Sequence, residues 1–330
     1  MKYYKHNDGV LSHQSTSAIN GIFAIMIFIS HISGYLTLDD LLLDNLYEKF
    51  QNFHGQLVVT TFLAFSGYGV MTQLLKRGKK YVDEMPVKRI LKVLIHFDIA
   101  ILLYLLVNFI FHREYSMFNI IFSFTGWTSV GNSNWYIFAI LAMYLITYIS
   151  AKLSKNNHKY TCIFSTIGCF LYVFLMYYVG KPERFFSTAL CYVLGLWIAY
   201  YKDAILRIFS KQWLLSLLSL ILLFVLTYKD RENALIMNLH SVIFVTGIVC
   251  FTTRIHIGNK FLDFFGKHAF SIYIIQRIPM IVMSSMGLLE YISNEAFVVI
   301  AFILTMILAC VFDKLLEKFD QYIFNPLFVR

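Results

Sequence analysis

Charge is scarce in this chain: Asp, Glu, Lys and Arg together make up 14% of its 330 residues, where a soluble domain carries about a quarter. That excludes an ordinary water-exposed surface. Several motifs are also missing. The five cysteines (Cys162, Cys169, Cys191, Cys250, Cys310) form no CxxC and no metal-ligand spacing, so they read as small core hydrophobes, and no metal is expected. There is no HExxH, no GxSxG and no phosphate-binding glycine loop. Internal repeats and low-complexity tracts are lacking, and the first apolar run has no small-residue cleavage site, so it reads as a retained helix rather than a signal peptide.

What remains is apolar. Hydrophobic residues are 58% of the chain and mean hydropathy is +0.65. The 32 Phe and 22 Tyr suit lipid-facing helices and interfacial aromatic belts. The class this defines is an all-α polytopic membrane bundle, a single integral-membrane domain over 1–330. Ten spans are expected, near 18–37, 56–75, 91–111, 135–151, 160–179, 185–201, 213–228, 235–253, 269–289 and 296–313. Residues 117–127 read as a re-entrant or interfacial segment, 37–55 and 76–90 as loops, and 314–330 as a short amphipathic helix on the inner surface.

Loop charge sets the expected orientation. Lys76, Arg77, Lys79, Lys80, Lys88, Arg89 and Lys92 gather between spans two and three; Lys152, Lys155 and Lys159 follow span four; Lys202, Arg207 and Lys211 follow span six. The alternate connections carry Asp39, Asp40, Asp44 and Glu48, then Glu114, Glu183, Asp230, Glu232 and Glu290. Both termini are therefore expected in the cytoplasm. The net charge of +9 then faces anionic headgroups and calls for no nucleic-acid partner.

Polar groups inside apolar spans are the candidate site residues, because lipid offers them no hydrogen bonds. His31 lies in the first span, and Asn20, eleven residues earlier, shares its helix face. Arg277 lies near the middle of span nine; pairing with Asp98 in span three would give it a purely structural role, as packing against a neighbouring helix would for His31. His54, Arg184, His240, Asn134 and Trp135 fall at the outer ends of their spans, where they can line a polar acceptor pocket or act singly as interfacial residues.

These features resemble a known family. INGIFAIMIFISH is similar to the first helix of the acyltransferase family 3 membrane proteins, which acylate sugars at the cell envelope. FLAFSGYGV (62–70), MPVKRILKVLIHF (85–97), NWYIFAILAMY (134–144) and FGKHAFSIYIIQ (265–276) match further family motifs in the same order. Three positions depart from the pattern: Asn20 stands where the family has Arg or Lys, Ile140 where many members have Glu, and Gln276 where the late motif often ends in His.

The resemblance implies an O-acyltransferase, with acetyl-CoA as donor substrate. Lys88, Arg89 and Lys92 would meet the donor phosphates from the cytoplasm. His31 would act as general base or transient acyl carrier, and Arg277 would stabilise the oxyanion. Counting residues from the cytoplasmic ends, His31 and Arg277 differ in height by about 7 Å, so Arg277 is expected to supply the positive charge absent at Asn20. The acceptor would be a sugar of an envelope or capsular polysaccharide, or its lipid-linked precursor, at a bacterial plasma membrane. Two other readings stay open: a transporter or flippase for a glycan intermediate, and a non-catalytic membrane subunit of polysaccharide assembly or export.

Overall fold

The computed structural model describes residues 11–36 and 42–324 and contains no strand among them. The helices, in chain order, are α1 (His13–Ile32), α2 (Leu42–His54), α3 (Leu57–Arg77), α4 (Lys79–Met85), α5 (Lys92–Ile110), α6 (Met117–Ser123), α7 (Trp135–Leu153) and α8 (His158–Tyr178). They continue with α9 (Leu190–Tyr200), α10 (Lys202–Lys211), α11 (Trp213–Tyr228), α12 (Ala234–Thr252), α13 (Lys260–Ile275), α14 (Arg277–Ser285) and α15 (Asn294–Ile323).

Each expected span falls on a helix or a helix pair. Among the described residues seven helices are long and apolar enough to cross a membrane by themselves, and 183–211 adds a helix pair bent by 88°. The apolar α11 is 16 residues long, and the ninth expected span is the pair α13–α14, interrupted at Gln276. Rows of exposed apolar side chains, such as Phe170, Phe174 and Tyr178 on α8 and Leu215, Leu222 and Leu226 on α11, fit contact with lipid rather than water.

Three expectations change. The region 37–55, expected as a loop, carries α2. The basic stretch 76–90 is also helical: Gly78, at φ +53°, separates α3 from α4, and a π-helical turn at Pro86–Leu91 carries α4 into α5. Proline lacks an amide hydrogen and crowds the preceding turn, so a widened turn accommodates it. Residues 314–323 form no separate helix but extend α15.

The chain divides into two compact units. The first comprises residues 1–22, 59–86 and 142–266; the second comprises 23–58, 87–141 and 267–330. In the first, α11 packs on α12, and α9 packs on α8 and α12. Glycines let backbones touch. A Cβ on Gly67 would stand 2.1 Å from the Tyr192 carbonyl oxygen, and one on Gly195 would stand 1.9 Å from that of Ala64, so α3 and α9 cross with no side chain between them. Gly21 and Gly266 do the same for α1 and α13: a Cβ on Gly266 would lie 2.0 Å from the Ser17 carbonyl oxygen. The first glycine of the SGYG motif, Gly67, and the glycine of FGKH, Gly266, therefore serve packing. Asn238 joins α12 to α9 by accepting from the Leu190 amide at 3.2 Å and donating to the Phe186 carbonyl at 3.1 Å.

In the second unit, α14 packs on α5 and α15. Phe28 and Ile32 of α1, Met280 and Met283 of α14, and Phe297 and Ala301 of α15 form a shared core. The 117–127 segment contains the two-turn α6 and leads into an irregular stretch whose Val130, Asn132, Ser133 and Asn134 are buried. Irregular backbone is tolerated at such a place only if its polar groups are satisfied internally. They are: Asn108 Nδ2 donates to the Val130 carbonyl at 2.8 Å, the Val130 amide donates to Asn132 Oδ1 at 2.9 Å, and Asn134 Nδ2 donates to the Gly126 carbonyl at 2.8 Å.

Candidate functional site

The second unit holds the candidate site. Helix α1 ends at Ile32 and runs on as a 3-10 turn, Ser33–Tyr35, so His31 stands in the last turn of α1. There the side chain meets polar partners. Gln276 Nε2 lies 3.0 Å from His31 Nδ1, and Ser133 Oγ lies 3.4 Å from the same nitrogen. The rings of Tyr273 and Tyr136 close one side, with centroids 6.4 Å from His31 to Tyr273 and 5.2 Å from Tyr273 to Tyr136.

Local sequence explains why Gln276 projects here. Pro279 is four residues after Ile275, and its missing amide hydrogen and bulky ring break the α-helical ladder at that carbonyl. The result is the α13–α14 break at Gln276. The Gln276 side chain is fully buried, and its backbone carbonyl is taken up by Thr305 Oγ1 of α15 at 3.4 Å. Its amide Oε1 is buried with no hydrogen-bond partner among the described residues. The sequence reading marked Gln276 only as a departure from a motif. The signal that it belongs to the site was the adjoining Pro279, which frees the end of a buried helix.

Arg277 follows immediately and is half-buried. Its helix α14 packs on the Ser33–Tyr35 turn, and its charge acts on the Tyr35 hydroxyl, as do Arg113 and Tyr115. Asp98 is not its partner: one Asp98 carboxylate oxygen is buried and unbonded among the described residues, and no cation acts on it. The pairing considered for these two residues is thus replaced by an Arg277–Tyr35 contact. A cation facing a phenol instead of a carboxylate keeps its full charge available to a ligand.

The other predicted residues scatter. Asn20 belongs to the first unit, where its side-chain oxygen is buried without a hydrogen bond among the described residues. His240 is also in that unit, bonded to Thr227 Oγ1 at 2.7 Å and stacked on Phe224, and Arg184 is exposed on a short 3-10 turn. Asn134 is committed to holding the irregular stretch, and the half-buried Trp135 starts α7. The side chain of His54 lies outside the described residues. Lys88 and Arg89 sit on the π-helical turn, and Lys92 pairs with Asp320 Oδ2 of α15 at 2.5 Å, while Asp320 Oδ1 accepts from His96 at 2.8 Å.

The geometry and the apolar helices define a polytopic membrane protein with an ionisable site built around one histidine. The family model described as an acyltransferase domain matches residues 17–314, nearly the whole chain, and the protein belongs to that acyltransferase 3 family. No curated protein and no solved structure gave a match. The protein is accordingly a membrane acyltransferase.

Proposed function

We propose that the protein is an O-acetyltransferase of the bacterial plasma membrane. It moves an acetyl group from cytoplasmic acetyl-CoA to a hydroxyl of an envelope or capsular polysaccharide, or of its lipid-linked precursor. The observation that carries this reading is the placement of His31 against Gln276, with the adjacent Arg277 held by a tyrosine rather than neutralised by a carboxylate.

The chemistry follows from these groups. When the Gln276 amide, whose nitrogen faces Nδ1 at 3.0 Å, turns its oxygen to Nδ1–H, the lone pair on His31 Nε2 takes the proton of an acceptor hydroxyl. The alkoxide attacks the thioester carbonyl, and the Arg277 guanidinium stabilises the negative oxygen of the tetrahedral intermediate. Collapse breaks the carbon–sulfur bond, and the CoA thiolate leaves with the proton returned by His31. The products are the sugar acetyl ester and CoA thiol. Lys88, Arg89 and Lys92 would hold the donor phosphates, and membrane lipid surrounds the site.

Mass spectrometry of envelope glycans tests it. Acetyl esters should be present with the wild-type protein and absent both without it and with His31→Ala at equal protein abundance. Unchanged acetylation would refute the enzyme. Intact acetylation with the glycan held inside the cell when the protein is missing would identify the export role instead.

A further inference from the structure

A second reactive cluster lies in the same unit, away from His31. His268 of α13 directs Nδ1 at a carboxylate oxygen of Asp313 on α15, and Ser271 Oγ donates to the other oxygen. The opposite ring nitrogen, His268 Nε2, lies 3.8 Å from the sulfur of Cys310. Carboxylate, imidazole and thiol are thus in line, the arrangement that activates a sulfur nucleophile: the carboxylate orients the ring, and the ring takes the thiol proton.

Cys310 also differs from the other cysteines. Cys162, Cys169, Cys191 and Cys250 are buried, whereas Cys310 is half-buried. His268 and Asp313 keep 20% and 24% of their side chains exposed. Helix α15 places the cluster between two features already described. Thr305, which touches the Gln276 backbone, is five residues away from Cys310, roughly 7.5 Å along the axis. Asp320, which pairs with Lys92, is seven residues past Asp313 and shares its face. The charge of Asp313 reaches His96, the other partner of Asp320. The thiol therefore stands on α15 between the basic π-helical turn and the His31 site.

We propose that Cys310 is an acyl-accepting nucleophile, which His268 and Asp313 activate to take the acyl group of acyl-CoA as a protein thioester. This rests on the reading of acyl-CoA as donor and divides that transfer in two: the acceptor alkoxide then attacks the Cys310 thioester in place of the CoA thioester, the carbon–sulfur bond to Cys310 breaks, and the proton that His31 took returns to the Cys310 thiolate. His268 Nε2 removes the Cys310 thiol proton, and the thiolate attacks the thioester carbonyl. The bond from the carbonyl carbon to the CoA sulfur breaks, and His268 returns the proton to the departing CoA thiolate. One thioester replaces another, so no oxidant or other co-reactant is needed and the exchange is close to balanced in free energy. Asp313 is a positioning residue, since it acts through His268.

The test uses the purified full chain in lipid nanodiscs with acetyl-CoA labelled in the acetyl group. The wild-type protein should acquire hydroxylamine-labile label that peptide mass spectrometry places on Cys310. Cys310→Ala should lose it, and His268→Gln should slow labelling about 100-fold, the scale of a lost general base. As an independent readout, iodoacetamide should alkylate Cys310 more slowly in His268→Gln than in wild type, at equal abundance. Absence of label on Cys310 overturns the proposal, and so does a Cys310→Ala protein that acetylates glycans at the wild-type rate. That second result leaves the acetyltransferase standing. Loss of both labelling and glycan acetylation in the wild type removes the donor reading as well.

Discussion

The amide nitrogen of Gln276 stands 3.0 Å from Nδ1 of His31, although the two residues are 245 positions apart in the chain. In this orientation Nδ1 accepts, so the ring proton resides on Nε2. Reversing the amide brings Oε1, which has no hydrogen-bond partner among the described residues, to Nδ1–H and leaves the basic lone pair on Nε2. If either amide orientation can form, Gln276 sets which ring nitrogen of His31 carries the proton.

Gln276→Glu should favour the base form permanently, because a carboxylate accepts and never donates when ionised. It should also stabilise the imidazolium that forms when His31 takes a proton, since that cation gains a partner. Base catalysis needs neutral His31, so the acid limb of the rate–pH profile should move to higher pH. Gln276→Ala should lose about 10- to 100-fold in turnover, the range for one lost hydrogen bond to a charged group. A Gln276→Glu profile that coincides with wild type would mean that this amide does not govern His31.

The glycines of the SGYG motif should behave oppositely although they are two residues apart. Gly67→Ala places a methyl group 2.1 Å from the Tyr192 carbonyl oxygen, whereas a Cβ on Gly69 meets nothing within 4 Å. Gly67→Ala should cost at least the 1–3 kcal/mol typical of overpacking and reduce membrane abundance. Gly69→Ala should leave both abundance and thermal stability close to wild type. Fluorescence-detected size exclusion against temperature would separate them, and equal melting would show that α3 and α9 do not meet there.

Much of this arrangement was legible in the sequence because burial in lipid leaves a strong pattern. All ten apolar runs fall on helices, and His31 and Arg277 stand out as polar groups that lipid penalises. Other features were hidden for definite reasons. The charges of 76–90 suggested a loop, but a polar face does not prevent a helix, and Pro86 is absorbed by a π turn. The trio His268, Asp313 and Cys310 depends on contact between α13 and α15 across 42 to 45 residues, which no local spacing announces. Lys92 looked free for phosphate, yet Asp320 lies 228 residues further along the chain and pairs with it.

That pair yields a prediction about the donor. Lys92 cannot serve a CoA phosphate fully while Asp320 holds it at 2.5 Å. The pair is partly exposed, so its worth is about 0.2–1 kcal/mol. Asp320→Asn should therefore lower the KM for acetyl-CoA by up to about fivefold with little change in kcat. A raised KM would show that Asp320 helps to position Lys92 rather than competing for it.

Orientation can be checked without an activity assay. Tags at Lys79 and at the C-terminus should be reachable only after cells are permeabilised, and a tag at Asp44 should be labelled on intact cells. Labelling of Lys79 from outside would invert the topology and move the basic turn away from cytoplasmic acyl-CoA.

Arg277 offers the sharpest separation of chemistry from packing. The first helix has Asn20 where a basic residue would be expected, and Arg277 contacts Tyr35 rather than Asp98. If its charge serves the reaction, Arg277→Lys keeps the charge but loses the planar fork, so specific activity should fall about tenfold. Arg277→Gln removes the charge and should fall by about 100- to 1,000-fold, the scale of a lost oxyanion donor. Tyr35→Phe leaves the guanidinium in place without its phenol partner and should cost only about 1 kcal/mol, an effect of roughly fivefold. Activity per molecule, corrected for abundance by quantitative immunoblot, is the deciding measurement. If all three variants lose abundance in proportion and retain wild-type activity per molecule, Arg277 only holds helices together, and the positive charge at His31 must come from another residue.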